Sequence, residues 1–278
     1  MLNVGQGDAI LIQTDSQNIL VDTSDTDERA KLSAELTKAG VTKFDKIILT
    51  HPHADHIGNI NFLIDNFPVA EIYDNGKISA SKTYLKYISN CQTKNISHNS
   101  LNSGDTLTIG ENIFIEIYHP QPNTFSKNIN DDSIVGRLVF NNFSMLLTGD
   151  AEFSTEADLV FRGVLLQSNI LKAGHHGAAT ANNLNFVKKV SPQFVLISAG
   201  VQTSKRGGNT YGHPRAEALN AYLAANVPTE NIFWTAINGT VTIETDGLTY
   251  TVTPEFQTNW LTDYLKGKSD KVNSVSKL

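Results

Sequence analysis

Thr50-His51-Pro52-His53-Ala54-Asp55-His56 places three imidazoles and a carboxylate within six residues of a chain that holds eight histidines in all. The apolar run Lys46-Ile47-Ile48-Leu49 leads into it and Gly58 follows, which predicts a buried strand opening into a ligand-rich loop. Neutral imidazole nitrogens and a carboxylate suit zinc, iron or manganese. His51 and His53 are two apart and project to one side of an extended segment. Asp55 and His56 lie past the turn and can face a second point. One loop can thus supply two ligands to each of two ions, as in two-metal hydrolytic sites.

The His-x-His-x-Asp-His pattern after a strand resembles the signature of the metallo-β-lactamase superfamily. The opening Asn3-Val4-Gly5-Gln6-Gly7-Asp8-Ala9-Ile10-Leu11-Ile12 resembles its ComEC-type branch, which includes the hydrolase-like domain of the bacterial DNA-uptake channel and free-standing relatives. The match runs from residue 2 to about residue 253. It implies an α/β fold, a four-layer αββα sandwich with catalytic loops gathered at one edge of two paired sheets.

The resemblance also completes a ligand set: His51, His53, Asp55 and His56 from the first loop, joined by Asp150 and His175. In Thr148-Gly149-Asp150, Asp150 would bridge the two ions, one carboxylate oxygen to each; an Asp before a helix also suits an N-cap. In Gly174-His175-His176-Gly177, His175 is the expected ligand and His176 a substrate or supporting group, with the reverse order left open. Asp22, after Ile19-Leu20-Val21, would orient the ligand loop through hydrogen bonds. Many relatives place a sixth ligand, a His, where this chain has Asn130-Asp131-Asp132-Ser133. The gap falls to water, to Asp131 or Asp132, or leaves one ion loosely held. Tyr211-Gly212-His213-Pro214 offers His213 as a phosphate contact or general acid, and Lys205-Arg206-Gly207-Gly208 reads as a basic loop suited to phosphate. His98 and His119 have no supporting neighbours and read as structural or surface.

Composition fits a globular enzyme: 278 residues, 40% hydrophobic, net charge −6. The acidic balance is unlike a long nucleic-acid footprint, which is usually basic. The one cysteine, Cys91, excludes an internal disulfide and a cysteine zinc knuckle. No apolar run reaches the 18 residues of a membrane span, and no signal peptide is visible. The expected location is therefore cytoplasmic by default, or exported where a longer N-terminus exists, since the opening strand is shorter than the family's.

Strands are predicted at 9–13, 19–22, 46–50, 69–73, 113–119, 134–140, 144–148, 170–173, 194–198, 232–235, 241–245 and 249–252. Helices are predicted at 27–39, 59–66, 79–89, 152–161, 183–190 and 214–225. Asn141-Asn142 marks a hairpin. Two halves are expected to meet near residues 125–133. Residues 1–255 read as one hydrolase domain and 256–278 as a C-terminal helix and polar tail; residues 267–278 are too poor in large apolar side chains to order themselves.

The function expected is metal-dependent hydrolysis by a metal-bound hydroxide with two divalent ions, Zn or Mn, one of them weakly held. Asp55, His176 and His213 are the catalytic candidates, and the substrate is a phosphodiester, either nucleic acid or small molecule. Alternatives are a β-lactamase or thioesterase, or a metal-binding module without turnover.

Overall fold

The computed structural model describes residues 1–201 and 209–265. The basic loop at 205–208 and the tail at 267–278 lie outside the described residues. Fourteen strands are described: β1 (Ile10–Gln13), β2 (Asn18–Val21), β3 (Phe44–Ile48), β4 (Val69–Asp74), β5 (Ser97–Ser100), β6 (Thr106–Gly110), β7 (Ile113–His119), β8 (Val135–Phe140), β9 (Phe143–Leu147), β10 (Ile170–Lys172), β11 (Phe194–Ile197), β12 (Ile232–Trp234), β13 (Val241–Thr245) and β14 (Tyr250–Pro254). The helices are α1 (Arg29–Lys38), α2 (Ala54–Ile57), α3 (Ile60–Asn66), α4 (Lys82–Lys94), α5 (Phe153–Arg162), α6 (Leu184–Val190), α7 (Ala216–Ala224) and α8 (Thr235–Asn238).

One sheet runs β1-β2-β3-β4-β5 and a second runs β12-β11-β10-β9-β8-β7-β6. In the first, only the β1–β2 pair is antiparallel. In the second, β9 to β12 are parallel and β6 to β9 antiparallel. Strand alternation sorts the side chains into layers. On β2, Ile19 and Val21 enter the core between the sheets, while Leu20 joins α1 and α3 on the outer face. On β9, Met145 and Leu147 face inward and Leu146 faces the helical layer of α5 to α7. Three apolar cores thus separate four layers, the expected αββα sandwich. Each fully buried Leu or Ile contributes roughly 1.5–3 kcal/mol.

Local signals set the helices. Ser81 caps α4 by accepting from Tyr84 N, and left-handed Asn95 ends it. Tyr84, Tyr87 and Cys91 form the buried stripe of α4 at helical spacing. Leu261 is fully buried and Trp260 packs edge-on against Trp234, so residues past 255 add to the second core.

The halves do not meet at 125–133. The last strand of the first sheet is β5 and the first of the second is β6, so the chain crosses between sheets at residues 101–105. β5 is Ser-His-Asn-Ser and wholly exposed, so it carries no hydrophobic signal. β6 does alternate, burying Leu107 and Ile109.

A cavity of about 710 Å³ opens between β1 and the β13–β14 hairpin, lined by Ile10, Ile12, Met145 and Thr242. None of the candidate site residues lines it.

Candidate metal centre

The candidate residues converge at one edge of the sandwich because parallel strands deliver their C-terminal ends there. Asp22 follows β2, the His51–His56 loop follows β3, Asp150 follows β9 and the tandem histidines follow β10. Asp8 precedes β1, which runs antiparallel and therefore starts at the same edge.

Asp22 locks the ligand loop. Its Oδ1 accepts from Thr50 N and its Oδ2 from Thr50 Oγ1, both at 2.7 Å. Its Oδ2 also lies 2.8 Å from His56 Nδ1. The second ring nitrogen of His56 is thereby turned toward Asp150, whose Oδ2 is 3.2 Å away. His51 is buried, and its Nε2 lies 3.0 Å from His53 Nδ1. Gly149 has φ +50°, and a Cβ there would lie 2.9 Å from that of Ser133, so the turn that presents Asp150 needs a glycine.

Asp150 stands at the centre. Its backbone N donates to Ser133 Oγ at 3.0 Å, and Ser133 Oγ also approaches His51 Nδ1 at 3.3 Å. Asp150 Oδ2 lies 3.4 Å from His176 Nε2 and 3.7 Å from His175 Nε2. It does not cap α5, whose N-cap residue is Glu152. Ligand atoms of Asp55, His56, Asp150 and His176 all lie within 4.8 Å of one another.

The tandem histidines differ in placement, and His176 is the one set more deeply among the carboxylates. Both adopt left-handed backbone, with φ 45° and 54°, which throws their rings apart. His176 is buried, with Nδ1 2.7 Å from Ser198 O and Nε2 3.2 Å from Asp55 Oδ2. One nitrogen held by a carbonyl and the other facing carboxylates is the posture of a metal-ligating imidazole. His175 is partly exposed, and its Nδ1 pairs with Glu152 Oε1 at 2.8 Å.

Asp131 and Asp132 do not reach the site. Thr155 Oγ1 donates to Asp131 Oδ1, and Asn128 Nδ2 donates to Asp131 Oδ2. Lys77 and Ser126 N hold the Asp132 carboxylate. Neither carboxylate can fill the place of the absent sixth His, because both are committed to anchoring the turn. Asn130 faces inward instead. His119 supports the same turn, its Nε2 lying 2.7 Å from Asp131 O, and His98 pairs with Asp74. The His213 ring lies 5.4 Å from that of His175 and 6.3 Å from that of His176. Burial, then His176 and His175, push its pKa down to about 3, so its imidazole is neutral at physiological pH.

Two buried partners went unassigned in the sequence. Asp8 and Lys172 form an ion pair at 2.5 Å, and Lys172 also donates to Gly149 O at 2.8 Å. The alternation of β10 puts Ile170 inward and Leu171 outward, so Lys172 must enter the space between the sheets. A lysine ending an apolar strand, three residues before His175, was the available signal. A further residue without an assigned role in the sequence, the partly exposed Glu152, accepts from Asn128, Asn130 and Thr180 and pairs with His175.

The electrostatics call for a cation. Asp8, Asp22, Asp55 and Asp150 gather around His56 and His176, and Lys172 meets two of them, Asp8 at 2.5 Å and Asp150 at 3.8 Å. Burial disfavours charge on His56 and His176, yet Asp150 and its neighbouring carboxylates raise both pKa values well above the ordinary imidazole value. Burial and then His56 lower that of His51. His56 Nε2 and Asp150 Oδ1 are buried without a hydrogen bond. Such orphaned donor atoms amid excess negative charge fit a divalent metal ion, which satisfies both at once.

The metallo-beta-lactamase superfamily model matches residues 2–200. The chain belongs to this superfamily. Its members are generally metal-dependent hydrolases. The chain is similar to ComE operon protein 3 of Bacillus subtilis (strain 168), with 26% identity over 95% of this chain and 35% of that protein. Competence protein ComA of Neisseria gonorrhoeae is 27% identical, over 81% of this chain and 29% of that one. Recombination protein 2 of Haemophilus influenzae is 28% identical, over 72% and 24%. These are ComEC-type competence proteins, and the chain spans about a third or less of their length. Among solved structures, the metallo-beta-lactamase fold protein YhfI of Bacillus subtilis aligns with a TM-score of 0.52 and 15% identity, covering 79% of this chain and 91% of that one. CmlA, a diiron beta-hydroxylase from Streptomyces venezuelae, aligns at 0.50 and 14%, covering 80% and 49%. At these identities the likeness is one of fold alone. No helix among the described residues is long and apolar enough to cross a membrane.

Proposed function

We propose that this chain is a metal-dependent phosphodiesterase with two divalent ions, Mn²⁺ or Zn²⁺. In this reading Asp55, His56 and His176 would hold one ion, His51 and His53 would hold the other, and Asp150 would contribute to both. Residues 1–255 carry the activity, and 256–278 form an appended helix and tail. The observation that carries the reading is the position of Asp150. Its carboxylate meets His56 and His176 at 3.2 and 3.4 Å, and its charge also acts on His51 and His53.

Bound divalent ions supply Lewis acidity and make water a nucleophile at neutral pH. The protein's own groups do the rest. Asp22 and Ser198 fix the His56 and His176 tautomers through their Nδ1 atoms. Asp55, partly exposed and 3.2 Å from His176 Nε2, would orient the nucleophile or accept its proton. His213, with a neutral ring near His175 and His176, is placed to hydrogen-bond a phosphoryl oxygen. The similarity to competence proteins favours a nucleic-acid strand over a small phosphodiester.

The test is hydrolysis of bis(p-nitrophenyl) phosphate by metal-stripped protein reloaded with Mn²⁺ or Zn²⁺. Metal-dependent release of nitrophenol is expected, followed by cleavage of single-stranded DNA. Protein that binds both metals and releases none would move the reading to another ester class or to a binding role.

A further inference from the structure

We infer that the Asn130 side-chain oxygen supplies the ligand that the His51/His53 ion lacks. The inference rests on the two-ion reading above. Asn130 sits in the turn where the sixth His of many relatives is expected, and it is buried. Its Oδ1 is buried without a hydrogen bond.

The amide's orientation follows from chemistry. Glu152 Oε1 lies 3.2 Å from Asn130 Nδ2. A carboxylate only accepts, so the NH₂ group must take this side. Oδ1 is then turned to the side away from Glu152, in the same turn whose Ser133 Oγ stands 3.3 Å from His51 Nδ1. The backbone supports the pose: Asn130 N approaches Asn128 Oδ1 at 3.3 Å, and Thr155 and His119 pin the next residue's carbonyl. The neighbouring carboxylates are turned away, Asp132 to Lys77 and Asp131 to Thr155. Of the turn's side chains, Asn130 and Ser133 remain at the site, and Ser133 Oγ already accepts from Asp150 N.

The resulting donor set is two imidazoles, a bridging carboxylate and an amide oxygen. An oxygen in place of a nitrogen makes the site harder, favouring Mn²⁺ over Zn²⁺ relative to a three-imidazole site. Glu152 acts as a positioning residue that holds the amide.

The test counts ions by mass spectrometry and Mn²⁺ titration on metal-stripped full-length protein. Wild type is expected to bind two Mn²⁺. Asn130→Ala should lose the second, or bind it about tenfold or more weakly, with an unchanged metal-free melting curve. Glu152→Gln, which lets the amide turn over, should weaken the same ion about tenfold. Asn130→His should keep two ions and shift preference toward Zn²⁺. Asn130→Ala that binds the second Mn²⁺ as wild type does overturns the inference and leaves the two-ion reading standing. Wild type that binds fewer than two overturns both. Loss of the second ion in His175→Ala with Asn130→Ala unaffected would give the place to His175.

Discussion

Asp22 grips Thr50 with both carboxylate oxygens, Thr50 N and Oγ1 each donating at 2.7 Å. The same carboxylate faces His56 Nδ1 at 2.8 Å. The end of β3 and the orientation of a metal-facing imidazole therefore depend on one side chain. Asp22→Ala should weaken metal binding at the Asp55/His56 position about 10–100-fold. It should also cost about 2–4 kcal/mol of stability, since buried donors lose a charged acceptor. Mn²⁺ titration and urea unfolding check the two effects. Metal affinity unchanged by the substitution would remove Asp22 from the supporting role.

The tandem histidines give a contrast within one motif. His176→Ala should remove an ion from the protein, because its Nε2 faces Asp55 and Asp150 at 3.2 and 3.4 Å. His175→Ala should keep both ions and lower turnover, since His175 is held by Glu152 at the edge of the site. Metal counts on the two variants decide it, and the reverse pattern would restore His175 as the ligand.

Lys172 is fully buried and joined to Asp8. Removing one partner of a buried pair leaves the other charge uncompensated, at a cost of about 3–5 kcal/mol. Lys172→Met should approach that cost in urea unfolding of the metal-free protein. Lys172→Met with Asp8→Asn should recover part of it. A double variant no better than the single would show that Lys172 acts through Gly149 O rather than through Asp8.

Glu156 on α5 adds a pH dependence. It accepts from Asn182 N and Asn183 N at the start of α6, yet burial pushes its pKa up to about 8. The folded state thus holds this proton more tightly than the unfolded chain, whose value is about 4.3. The stability linked to it is complete below pH 4 and is lost as pH rises through about 8. Glu156→Gln should flatten the decline of melting temperature across that window, at the cost of one hydrogen bond of about 1 kcal/mol. An identical pH slope in the variant would refute the assignment.

The layered fold was readable because strand and helix periods agree with burial. Ile19-Leu20-Val21 and Met145-Leu146-Leu147 alternate between two cores, as period-two patterns should. β5 was not readable, since nothing in Ser-His-Asn-Ser is buried and it joins β4 through the backbone ladder and the polar His98–Asp74 contact, neither of which leaves a hydrophobic pattern. β6 does carry a strand signal, Thr106 and Thr108 alternating with buried Leu107 and Ile109. In the site, side-chain type was legible and direction was not. Asp131 and Asp132 have the chemistry of ligands, but Thr155 and Lys77 claim them from distant elements. Which of His175 and His176 faces the carboxylates depends on left-handed backbone at both residues, which their identities do not announce.

The proposed ligands are drawn from both sheets: His51, His53, Asp55 and His56 from the loop after β3, Asp150 and His176 from the ends of β9 and β10. Asp55 and His176 are 121 residues apart in sequence. An ion held between them closes that loop as a staple would, in a chain whose single cysteine allows no internal disulfide. A cross-link around about 100 residues removes on the order of 4–5 kcal/mol of unfolded-chain entropy. Chelation should therefore let the two halves of the sandwich part at lower temperature, as a mechanical loosening separate from the loss of chemistry.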